Sequence, residues 1–74
     1  MFRQIKITKM YEQIVQQIKD MVADGTLNKG DKLPSERNLV EKFKVNRASV
    51  REALRAMKNM GIIECIKGEG NFIK

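Results

Sequence analysis

Four cations recur along one short stretch of this 74-residue chain: Arg47, Arg51, Arg55 and Lys58. On a helix, at about 100° per residue, they share an arc roughly 80° wide. A guanidinium is a fixed charge carrying a rigid fork of donors, matched to a carboxylate, a phosphate or the O6/N7 edge of guanine. The chemistry on offer is therefore recognition of an anion or a base edge. Bond-making chemistry has no comparable set of groups. The chain has no histidine, one cysteine (Cys65) and no glycine-rich phosphate loop opening a helix. Glu36, Glu41 and Glu52 stand at helix-surface spacing among basic residues, which does not suit a carboxylate pair for acid–base catalysis. An enzyme is not expected, nor any cofactor or metal site within this domain.

Charge placement sharpens the point. The formal charge is +6, yet Met10 to Glu36 holds three lysines against five acidic residues. Arg37 to Lys58 holds seven cations against two carboxylates. A basic stripe confined to one segment is the usual electrostatic footprint of a nucleic-acid-binding surface. With 42% hydrophobic and 32% charged residues, the composition is that of a small globular domain, one whose core is near the lower size limit. The longest apolar run, Met21 to Ala23, is far too short to span a bilayer. Met1 to Lys6 lacks the apolar stretch of a secretory signal. These features and the lone cysteine predict a reducing, cytoplasmic setting without disulfides. Cys65 reads as half-buried strand filler, and the five methionines as a start residue and core filler.

The elements that must carry the basic arc follow from local patterns. Residues 1–8 show no clear period and read as an N-terminal arm, with Thr8 or Lys9 opening the first helix. Tyr11, Ile14, Val15, Ile18 and Val22 then recur at helical spacing, and Gly25 ends the run. Asn28 to Asp31 is a turn cluster, and Pro34 forces Leu33 into an extended conformation. Ser35 is a good N-cap for a short second helix whose buried face is Leu39, Val40 and Phe43. After a tight connection at Lys44-Val45, Asn46 caps a third helix, which runs from 46 to 60. Its apolar arc is Val50, Leu54 and Met57 with Ala53 at the edge, beside the basic arc. Ile62 to Ile66 reads as a strand, Lys67 to Gly70 as a hairpin turn, and Asn71 to Lys74 as the returning strand. The fold class is mainly α with a small β-hairpin: a winged helix-turn-helix of three helices followed by a two-stranded wing, one domain over 1–74.

Four motifs in this order carry a resemblance. Leu33-Pro34-Ser35-Glu36-Arg37, Val45-Asn46-Arg47-Ala48-Ser49-Val50-Arg51-Glu52-Ala53-Leu54, Gly61-Ile62-Ile63 and Gly68-Glu69-Gly70-Asn71-Phe72-Ile73 together resemble the DNA-binding domain of the GntR family of bacterial transcriptional regulators. The Val-Arg-Glu-Ala-Leu wording is most similar to the FadR-type subfamily. The resemblance implies a sequence-specific regulator, in the mode of a repressor. It would read a palindromic operator with the helix at 46–60 in the major groove and the wing at 66–72 near the minor groove. It implies DNA contacts from Arg37, Arg47, Ser49 and Arg51, and a close backbone approach at Gly68; Lys67, by its place at the wing tip, and Ser35 are further candidates for DNA contact. It also implies a homodimer on DNA or through a C-terminal domain, which would bind a small-molecule effector and is not among these residues. Two positions depart from the pattern: Asn46 replaces the usual small hydroxyl, and Ala48 replaces the common threonine and can donate no hydrogen bond. Asn71 likewise stands where threonine is common.

Two other partners compete with operator DNA. A winged helix can serve as a protein-interaction module, in which case the basic stripe is incidental. Structured RNA is a weaker fit, because its deep, narrow major groove does not admit a recognition helix.

Overall fold

The structure, a computed structural model, describes residues 8–74. Its elements are α1 (Thr8–Ala23), α2 (Glu36–Phe43), α3 (Arg47–Asn59), β1 (Ile63–Ile66) and β2 (Gly70–Ile73). This is the expected order of three helices and a two-stranded wing. Of the expected arm, residues 1–7 lie outside the described residues, and Thr8 already belongs to α1.

α1 buries Ile14, Val15 and Ile18, while Tyr11 is half-buried and Val22 stays 37% exposed at the last turn. Gly25 adopts φ +85°, the left-handed geometry that ends a helix cheaply only at glycine. Leu27 then donates its N–H to the Met21 carbonyl at 3.0 Å, turning the chain back towards the core. In the same turn the Asp24 carboxylate accepts from the Thr26 hydroxyl and from its backbone N–H, which together hold its pKa below 3.8. A depressed carboxylate supports the fold above its unfolded pKa and loses that contribution as pH falls through the lowered value.

α2 and α3 form the helix-turn-helix. Ser35 Oγ accepts from the Asn38 N–H at 3.1 Å, and Asn46 Oδ1 accepts from the Ser49 N–H at 2.8 Å, so both helices open on a capping side chain. Between them Lys44 takes φ 54°, ψ 48°, with its N–H on the Val40 carbonyl. It is the one non-glycine residue at positive φ among those described. At the far end of α3, Ile62 donates to Met57 at 2.9 Å and Gly61 to Lys58 at 3.0 Å, closing a Schellman motif around Gly61 at φ +76°.

The wing is better supported than a lone hairpin. β1 and β2 pair antiparallel, with Ile63 opposite Ile73 and Ile66 opposite Gly70. The root pair, Ile63 and Ile73, is buried with Val50, Ala53 and Met57 of α3. On its other side β2 bonds to the stretch before α2. Gly30 donates to Ile73, Ile73 to Asp31, and Leu33 to Asn71, each at 2.8 Å. The residues read as a turn and an extended leucine thus run alongside β2 and meet it in a single antiparallel bridge, Lys32–Phe72. Cys65, expected to be half-buried, is exposed: it shares the face of β1 with buried Ile63, but one step further out along the wing that face looks onto an open cleft beside α3.

Left-handed geometry at a residue with a Cβ costs about 1–2 kcal/mol, and glycine gives back part of that through greater freedom of the unfolded chain. Lys44→Gly is expected to stabilise the domain by about 0.5 kcal/mol net, read as a rise in Tm of about 2–4 °C by calorimetry.

Candidate nucleic-acid interface

The interface is built on the two faces of α3. Ser49, Val50, Ala53 and Met57 have no exposed surface and form the contact with α1 and the wing root. Arg47, Arg51, Arg55 and Lys58 are all exposed on the other side. The buried arc is turned from the expected one. Leu54 is only half-buried, while Ala53 lies at its centre and Ser49 is included.

Ser49 therefore requires a correction. Expected at the DNA surface, its side chain is 0% exposed, and its hydroxyl sits 3.6 Å from the Met10 sulfur of α1. The reason is angular. Ser49 stands two residues from both Arg47 and Arg51, so about 160° around the helix from each. The same spacing that puts the arginines outside puts Ser49 inside. A small residue there also lets α1 and α3 come close. This was readable from the sequence by continuing the helical wheel to position 49.

The other expected residues lie at the surface. Arg37 is exposed on the first turn of α2, and Lys67 is exposed at the wing tip. Gly68 has φ +82°, and Glu69 N–H closes the turn on the Ile66 carbonyl at 2.9 Å, which places glycine where a type II turn needs it. A Cβ at Gly68 would meet nothing within 4 Å, so the tip is open to whatever approaches it. Ser35 is exposed, but its Oγ is already engaged as the cap of α2. Its visible task is to fix the start of that helix.

One residue of the interface was not read as part of it. Glu36, the first residue of α2, reaches across to α3. Its two carboxylate oxygens each accept from Arg51 Nε at 3.2 Å, and Oε1 lies 3.5 Å from Arg47 Nε. The sequence signal was slight, since an acidic residue in a first turn is also what the helix dipole favours. Arg55 pairs instead with Glu52 at 3.6 Å, one turn away on its own helix. Between this basic face and the wing runs a cleft lined by Glu36, Arg51, Leu54, Arg55 and Lys58 on the helix side and by Cys65 and Asn71 on the wing side. Helix and wing thus share one surface, whose positive charge lies on the helix side. No group of three or more His, Cys, Asp or Glu among the described residues is placed to hold a metal ion.

Comparison with known proteins locates this arrangement. Residues 10–73 match the family model described as bacterial regulatory proteins, gntR family. The chain is 50% identical over 54 residues to the HTH-type transcriptional regulator LutR of Bacillus subtilis, covering 73% of this chain and 25% of that protein. It is 41% identical over 66 residues to the HTH-type transcriptional repressor YtrA of Bacillus subtilis, covering 89% of this chain and 51% of that one. The chain thus spans from a quarter to about half the length of these curated relatives. Among solved structures, a GntR family transcriptional regulator from Listeria monocytogenes superposes with a TM-score of 0.86 at 33% identity, over 99% of this chain and 62% of that one. The DNA-binding domain of AraR in complex with operator ORR3 superposes with a TM-score of 0.82 at 26% identity, over 88% and 78%.

The placement of Ser49 makes a stability prediction. Ser49→Ala removes only a weak bond to sulfur and should cost less than about 1 kcal/mol in a urea melt. Ser49→Leu must force extra volume between α1 and α3 and should cost about 1–3 kcal/mol.

Proposed function

The chain belongs to the gntR family of bacterial regulatory proteins, and from that premise we propose that it is the DNA-reading unit of a transcriptional regulator that acts as a repressor. The observation that carries the reading is the outward basic face of α3, continuous through a cleft with the wing. In this reading the N-terminal half of α3 enters the major groove of operator DNA. Arg47 and Arg51 are the base-reading candidates, because the first turns of a recognition helix reach the base edges. Arg37 from α2 and Lys67 from the wing add contacts to the sugar–phosphate backbone, and Gly68 lets the wing tip lie against it. Ser35 acts through the cap that fixes Arg37.

Repression is supported by the names of relatives, among them the repressors MngR of Escherichia coli and NagR of Bacillus subtilis. Blocking a promoter needs only tight occupancy of a site, which this surface can supply. Two copies on a palindromic operator double the contacts. Stable dimerisation and the sensing of a small effector belong, in this proposal, to further sequence of the kind that makes the relatives longer. The reading sets the protein in the cytoplasm, on the nucleoid. No helix among the described residues is long and apolar enough to cross a membrane.

Two measurements test it. Binding to a palindromic duplex should weaken with salt along a log–log slope of about −2 to −4 per protomer, since each cation seated on a phosphate contributes about −0.9. A protein-interaction module would show no such dependence on DNA. Arg47→Ala should weaken operator binding by about 1–3 kcal/mol and relax preference at one base pair. Equal binding of all sequences by the variant and the parent would remove α3 as the reader.

A further inference from the structure

The carboxylate of Glu36 is out of place on a surface meant for a polyanion. It contributes nothing to attraction for phosphate, and it opposes the two arginines nearest the groove. Yet it is the more sheltered partner, with its side chain 33% exposed against 64% for both Arg47 and Arg51. Its backbone is pinned at the first turn of α2 by the Ser35 cap. The two arginines lie one turn apart on α3, and one carboxylate from another helix reaches both.

The atoms used matter. Both hydrogen bonds from Arg51 to Glu36 leave from Nε, and the approach of Arg47 is also through Nε. The terminal Nη amino groups, which form the fork that matches guanine O6 and N7, are not hydrogen-bonded to this carboxylate. Arg55 differs, because its contact to Glu52 uses Nη1. Holding an arginine by Nε fixes the plane of its guanidinium and keeps the reading edge available. It also makes a swing towards a phosphate costly, since the swing breaks the bond to Glu36.

We propose that Glu36 is a positioning residue for specificity: it aligns Arg47 and Arg51 for base contacts and penalises their use on phosphate. The inference rests on the DNA-binding reading above. Glu36 therefore lowers binding to random DNA while raising discrimination between sequences.

The test compares affinity for a duplex enriched by the wild-type domain from a randomised pool with affinity for a scrambled duplex of equal composition. Glu36→Gln should bind the scrambled duplex more tightly, and its salt slope there should steepen by about 0.9 for each arginine released to phosphate. The ratio of enriched to scrambled affinity should fall about tenfold. Glu52→Gln makes the same charge change on the same surface and should strengthen binding to both duplexes alike, leaving the ratio unchanged. Glu36→Asp, one carbon shorter but still charged, should lose discrimination without gaining affinity for the scrambled duplex. This second variant also gives the reading if Glu36→Gln is too unstable to assay. A ratio within twofold of wild type in the folded Glu36 variants overturns the proposal while leaving the DNA reading intact. A wild-type domain that enriches no sequence overturns both.

Discussion

The contact between α1 and α3 governs everything else in this domain. One helix, thirteen residues long, must serve as the centre of a very small core and as its working surface. It does so by packing tightly along Ser49, Val50, Ala53 and Met57, all without exposed surface. Two of those four residues are small, which brings the helices close and leaves the opposite arc of α3 projecting. The arginines are outward because the core is on the other side. The caps serve the same end: Asn46 fixes where α3 begins, and the Schellman turn at Gly61 fixes where it stops and sends Ile63 back into the core.

With the helix fixed, the electrostatics are a matter of balance. Seven cations between Arg37 and Lys58 could make a surface that clings to any polyanion. Exposed charges attract broadly and are screened by salt, so number alone gives affinity and little choice. Choice needs geometry. Here the geometry comes from a neighbouring helix, through a carboxylate held by its own backbone at the start of α2. The helix-turn-helix connection then has a chemical meaning beyond topology: it sets the distance between a fixed anion and two long cations. Lys44, in a conformation unfavourable for its type, is the local cost of making that connection so short.

Much of this was legible in the residues. The caps at Ser35 and Asn46, the helix ends at Gly25 and Gly61, and the apolar spacing in α1 as far as Ile18 rest on local rules, and they held, while Val22 at the end of that spacing is exposed. The family resemblance agreed with all of them. What the pattern missed were meetings between elements distant in the chain. Glu36 and Arg51 are fifteen residues apart, and no period links them. The pairing of residues 30–33 with β2 joins segments some forty residues apart, so those residues read only as a turn and an extended leucine. Ser49 is a different kind of miss. The resemblance implied a surface role, and it was given more weight than the angle of position 49 on the helix. In a domain this small the angle is the stronger guide, since a position facing the core has no solvent to turn to.

The bridged segment before α2 has a mechanical consequence. β2 is hydrogen-bonded along both edges, to β1 on one side and to residues 30–33 on the other. The second of these runs through Leu33 and Pro34 straight into the cap of α2. The wing is thus no appendage hinged at Gly61. It shares a backbone brace with the helix that holds Glu36, so a push on the tip at Gly68 is transmitted along β2 towards the start of α2. The two parts that would flank a bound duplex are thus tied to each other by main-chain hydrogen bonds as well as by the core beneath them.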